Sequence, residues 1–151
     1  MRTRISNGYE TVSFSASSAR LCLSGRRRTG KFIIEINDND VFLSPCQFET
    51  LVQLASARIA TETGYLPVPP TQVDREYIRL QIHRLRTAID DALGKGIGKI
   101  LIETGVGTEY RLAVEPPNIV LEKTLSDLPT NILATSTIDA LRNHQGDVQS
   151  D

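Results

Sequence analysis

An α+β domain is expected from this amino-acid sequence, with an antiparallel sheet first, helices at the centre and a β-hairpin last. Changes in hydrophobic period carry that expectation. Short apolar stretches separated by turn-formers fill the first third, the apolar repeat lengthens to that of a helix from Ser44, and strand-like text returns after Gly96. The length of 151 residues suits one domain with an extension. With 40% hydrophobic and 23% charged residues the chain can bury a core, so collagen-like and globally disordered classes are excluded.

Residues 10–15, 20–24, 31–36 and 41–43 are rich in β-branched and apolar side chains and are expected as four short strands. Ala16-Ser17-Ser18, then Gly25 with Arg26-Arg27-Arg28-Thr29-Gly30, then Asn37-Asp38-Asn39-Asp40 supply the turns between them. Such tight links imply an antiparallel meander. Ser44-Pro45-Cys46-Gln47 is a capping-box start with Pro at the first helical position, where its missing N–H costs nothing. Phe48, Leu51, Val52, Ala55 and Ile59 then share one face, which predicts a helix over 45–62 stopped near Gly64.

Tyr65-Leu66-Pro67-Val68-Pro69-Pro70 cannot be helical, because three prolines remove donors and hold their predecessors extended. A second long helix, over 75–94, follows from caps at Thr71 or Asp74 and from Ile78, Ile82, Leu85, Ile89 and Leu93 on one face. Gly94-Lys95-Gly96 ends it. Residues 99–103 and 110–114 are expected as two strands joined by a glycine-bearing tip. After Val114 the composition turns acidic, so residues 1–115 are assigned to the domain and residues 116–151 to an acidic, flexible extension. Charge divides the same way: the first part holds 15 Lys and Arg against 13 Asp and Glu, the second 2 against 5.

Several function classes find little support. His83 and His144 have no Cys, Asp or Glu at a metal-ligand spacing, and Thr104-Gly105-Val106-Gly107 lacks the third glycine or Lys-Ser/Thr of a phosphate loop. Asp90 and Asp91 are adjacent on a helix and diverge by about 100°, which suits solvated carboxylates. No enzyme, metal or cofactor is expected. Cys22 and Cys46 are expected as buried thiols in a reducing compartment, and no apolar run reaches the roughly 18 residues of a membrane span, so the chain is placed in the cytoplasm.

The second long helix carries the strongest chemical signal. Opposite its core stripe lie Tyr77, Leu80, Arg84 and Thr87, with Arg79, His83 and Arg86 along one flank. This face is basic and of a kind that enters a major groove, where Arg pairs with guanine and Gln with adenine. Arg26, Arg27, Arg28 and Lys31 form a second basic group, read as a solvated turn within reach of phosphates.

Motif text sharpens the reading. Val41-Phe42-Leu43-Ser44-Pro45-Cys46-Gln47-Phe48-Glu49-Thr50-Leu51 resembles the entry to the first helix in the C-terminal winged-helix domain of OmpR/PhoB-type response regulators. Ile78-Arg79-Leu80-Gln81-Ile82-His83-Arg84-Leu85-Arg86 resembles that family's recognition helix, and residues 102–112, ending Tyr110-Arg111-Leu112, its wing. The resemblance covers about residues 10–115. It implies a winged helix-turn-helix with a four-stranded N-terminal sheet, a three-helix core and a C-terminal β-hairpin wing. By the same likeness Leu80, Gln81 and Arg84 face base edges, Arg79, His83 and Arg86 contact or flank phosphates, and Arg111 supports the wing.

This chain departs from the family in three places. Residues 65–77, with three prolines, replace a strand and a complete supporting helix; Val106 and Glu109 stand where the wing usually has Arg and Gly; and the stretch ahead of the module is too short for a receiver domain, so none is expected. The expectation is therefore a DNA-binding transcriptional regulator that docks the 75–94 helix in the major groove of double-stranded DNA, weakly or with a partner's help, with a homodimer on repeated half-sites allowed. The alternative is a winged helix that serves as a protein-interaction module without DNA. A third use follows from charge: the acidic extension folds back over the basic helix and inhibits it.

Overall fold

Two tight turns with consecutive positive φ angles organise the N-terminal sheet. The computed structural model describes residues 14–106 and 109–121. Thr29 (φ 49°) and Gly30 (φ 83°) join β2, Arg27–Arg28, to β3, Lys31–Ile36; Asn37 (φ 51°) and Asp38 (φ 69°) join β3 to β4, Asn39–Leu43. Left-handed residues at both central positions match the natural twist of the flanking strands. Asn and Asp tolerate that conformation well, and the Asn37 side chain is held in place, accepting from the Arg20 amide at 2.8 Å.

The expected meander is present, with one interruption. Both β1, Leu21–Leu23, and β2 pair antiparallel with β3, Cys22 opposite Glu35 and Arg27 opposite Phe32, so one edge advances five residues while β3 advances three. The surplus forms a bulge. Ser24 fills the broken ladder there: its buried hydroxyl donates to the Ile33 carbonyl at 3.2 Å and accepts from the Arg26 amide at 3.2 Å.

Two expectations about the sheet are corrected. It has five strands and is mixed, because β7, Ile119–Leu121, enters after a short turn at Pro116–Asn118 and pairs parallel with β1. The chain past Val114 thus returns to the domain. Ile119 and Leu121 are buried, and so short an apolar stretch gains its partner only from the opposite end of the sequence. The strand expected at 10–15 falls mostly outside the described residues, and Phe14 and Ser15 lead into a turn at Ala16–Ser18 instead.

Helix α1, Pro45–Ala60, begins with the full reciprocal cap: Gln47 N donates to Ser44 Oγ at 3.2 Å and Ser44 N donates to Gln47 Oε1 at 2.8 Å. Its buried face, including Phe48, Leu51, Val52, Leu54 and Ala55, covers the inner side of the sheet, where Phe48 stacks on Phe32 with ring centres 4.2 Å apart. The proline connector contains no helix. Tyr65 instead bridges Arg111, and Leu66 N donates to the Tyr110 carbonyl at 2.9 Å.

Helix α2, Gln72–Leu93, is capped by Thr71, whose hydroxyl accepts from Asp74 N at 3.1 Å. Ile82, Leu85 and Ile89 are buried as the periodicity predicts. The third helix stands after α2, not before it. Residues 97–101, expected to be mostly strand, form the five-residue α3, Ile97–Leu101, and only then does β5, Ile102–Thr104, begin. Gly98 explains the difference: a Cβ there would meet the Arg86 carbonyl oxygen at 2.5 Å, so the missing side chain lets α3 press onto α2. Asp90 Oδ1 accepts from Gly98 N at 2.7 Å and locks that contact.

β5 pairs antiparallel with β6, Tyr110–Leu112, completing the expected hairpin, whose Val106 is 91% exposed. The described fold is thus α+β, with a mixed sheet, three helices and a separate hairpin. No helix among the described residues is long and apolar enough to cross a membrane.

Candidate functional site

Elements packed around α2 divide its polar side chains into two groups. Three of the residues expected at a DNA surface are used inside the molecule. Gln81, expected at a base edge, is 3% exposed and lies among the buried Ile82 and Leu85, because its position sits closer to the core stripe than a three-residue offset from Arg84 suggests. Arg86, expected at a phosphate, folds onto the hairpin: its guanidinium donates to the Ile102 carbonyl, through Nε at 3.1 Å and again through Nη2, and to Thr104 Oγ1 at 2.8 Å. It also lies 5.7 Å from the centre of the Tyr110 ring. Burial pushes its pKa down, the direction expected for a cation taken from water.

Arg111 is occupied as well, in the supporting role expected of it. It donates to Glu103 Oε1 at 2.7 and 3.0 Å and to the Thr63 carbonyl at 3.1 Å, above the Tyr65 ring at 4.6 Å. The hydrogen bond to Glu103 raises its pKa. Two turns before Arg86 on the same flank of the helix, Arg79 is exposed but paired with Glu76 at 2.7 Å, which raises its pKa and cancels its charge locally.

Leu80, His83 and Arg84 remain exposed on the outward face. Among the described residues, the Arg84 guanidinium has no hydrogen bond or ion pair. Its backbone is fixed: Gln47 Nε2 donates to the Arg84 carbonyl at 3.4 Å, while Gln47 Oε1 holds the Ser44 amide. The α1 cap therefore sets the position of the α2 cation. Upstream on the same face stand Tyr77 and Val73, 51% and 78% exposed. The neighbouring Cys46 thiol pushes the Tyr77 pKa up, while Arg84 pulls it down. Cys46 is exposed at the start of α1, against the expectation of a buried thiol, because it lies about 200° around the helix from the buried Phe48; Cys22 is buried as expected, and the two form no disulfide.

An open cleft of about 480 Å³ lies between α2 and β3–β4. His83, Arg84, Thr87, Ala88, Asp91 and Ala92 form its helical wall, Lys31, Asp40 and Phe42 its sheet wall, with Gln47 between them. Charge is polarised along it. Asp91 lies two turns past Arg84, about 10 Å along the helix, and Asp40 sits opposite Glu35, about 13 Å along β3 from Lys31. Lys31, His83 and Arg84 thus gather at the Gln47 end and the two carboxylates at the other. Arg28, directly across the β2–β3 ladder from Lys31, extends the cationic end over the sheet surface.

The basic group in the β2–β3 turn was visible in the sequence, but its union with Arg84 was not, since no local spacing relates positions 31 and 84. Asp40, Phe42, Gln47 and Asp91 were legible only as turn, strand, cap and solvated helix residues, with nothing in the sequence to join them in one cleft. Among the described residues no cluster of His, Cys, Asp and Glu could hold a metal ion. No protein-family model matches the chain, and neither the curated proteins nor the solved structures give a match.

Proposed function

We propose that the chain is a winged-helix module that binds double-stranded DNA along the outward face of α2. Leu80 and Arg84 face the base edges, and Arg28, Lys31 and His83 meet backbone phosphates. One observation carries this reading: cations from two separate elements, Arg28 and Lys31 from the sheet and Arg84 from α2, have no side-chain hydrogen bond or ion pair among the described residues and converge on one surface. An exposed leucine beside a free arginine is a workable readout pair, with the leucine on a thymine methyl and the guanidinium bidentate on guanine. The likeness of residues 78–86 and 102–112 to recognition-helix and wing signatures supports the same assignment.

Two cationic phosphate contacts, Arg28 and Lys31, give a log–log salt slope of about −1.8 on duplex DNA. Binding is consequently weak. A fluorescence-anisotropy titration with random duplex across a salt series tests the reading, and a slope near zero would overturn it.

A second reading rests on Val73, Tyr77 and Leu80, an apolar stripe that a soluble surface rarely carries without a use. On that reading α2 docks a protein, and Arg84→Ala alters partner binding with no DNA affinity to lose.

A further inference from the structure

The cationic end of the cleft is placed where the chain itself can cover it. β7 runs parallel to β1 in a fixed register, Ile119 beside Leu21 and Leu121 beside Leu23. At Leu121 β7 therefore points the same way as β1, toward the turn that carries Arg27, Arg28 and Lys31. The first residue past the strand is Glu122. Residues 122–151 hold five carboxylates, Glu122, Asp127, Asp139, Asp147 and Asp151, against Lys123 and Arg142. An excess of negative charge is thus tethered to a domain whose positive surface has no ion pair among the described residues.

We infer that residues 122–151 are the resident partner of the Arg28–Lys31–Arg84 surface, held there by charge. The inference rests on the DNA reading for its consequence, because the same cations cannot serve the segment and a phosphate backbone together. Tethering makes the contact effective. A covalent tether of this length holds its cargo at an effective concentration near millimolar, so even a contact that weak is substantially populated. Reach is not limiting, since 30 residues span up to about 100 Å. Salt screens exposed pairs, so the contact weakens as ionic strength rises.

Two measurements on the full chain test this. Carbodiimide coupling, which joins carboxylates to lysine amines, is expected to link Lys31 to carboxylates of residues 122–151 at low salt, well above Lys95 and Lys99, and to lose that link at high salt. Absence of the Lys31 link, or equal labelling of all three lysines, would overturn the inference whatever DNA does. The second measurement compares the parent with a variant carrying Glu122→Gln, Asp127→Asn, Asp139→Asn, Asp147→Asn and Asp151→Asn. The variant is expected to melt at the same temperature and bind random duplex about tenfold more tightly at low salt. Unchanged affinity in a parent that does bind DNA counts against the inference and leaves the DNA reading standing. A Lys31 link with no DNA binding by either chain upholds the intramolecular contact and removes the DNA reading.

Discussion

Arg84 and Arg86 stand two residues apart on one helix and do opposite work. On the hairpin side Arg86 fills carbonyl and hydroxyl acceptors on β5, Arg111 clamps Glu103, and Arg58 reaches the Val114 carbonyl at 3.1 Å and Glu115 at 3.4 Å. On the sheet side Arg84, Lys31 and Arg28 carry charge that nothing in the described fold satisfies. Residue type says nothing about which role applies. The decision lies in whether a neighbouring element presents acceptors within reach, and the β5 backbone does so only for the residue that faces it.

The largest expected effect falls on the hairpin side, at the crossing that lets Arg86 reach β5. Gly98→Ala places a methyl against the Arg86 backbone and is expected to cost about 3 kcal/mol in stability, read as a lowered denaturation midpoint. An unchanged midpoint would mean that α3 does not lie where described. Arg86→Met keeps the stem, removes the guanidinium and leaves the Ile102 carbonyl and Thr104 without their donor, for about 2 kcal/mol. Any loss of DNA affinity in that variant should vanish once the folded fraction is corrected for.

Arg84→Ala is the converse. Its midpoint should move by less than about 0.5 kcal/mol, while binding to a selected duplex weakens by roughly 1 to 3 kcal/mol. A stability loss there equal to that of Arg86→Met would erase the distinction between the two sides. Smallest is Lys31→Ala, expected to flatten the log–log salt slope by about 0.9 with no change in sequence preference. A slope that stays as steep would take Lys31 off the phosphate backbone.

Much of the scaffold was legible in the sequence. The Ser44–Gln47 box, the Thr71 cap and the apolar repeat from Ile78 to Leu93 act within a few residues, so their physics is complete in the local text. Strand β3 was legible for the same reason, bounded by turn residues that favour positive φ. Three features escaped. The fifth strand needs β1 as its partner, α3 needs the close approach at Gly98, and the burial of Gln81 reflects how α2 rolls against its neighbours. Each depends on an element distant in sequence. The candidate site was legible only in part: Leu80, His83 and Arg84 stayed outside, while Gln81 and Arg86 turned to internal use.

By itself the sequence determined the two long helices with their caps, the turns around β3, the basic outward face of α2 and the acidity of residues 116–151, because propensity, periodicity and charge are local quantities. Tertiary structure alone decided which cations are spent and which are left. An arginine is a donor in search of acceptors, and whether it finds them depends on the hairpin, sheet or solvent that packing brings within about 3 Å of it.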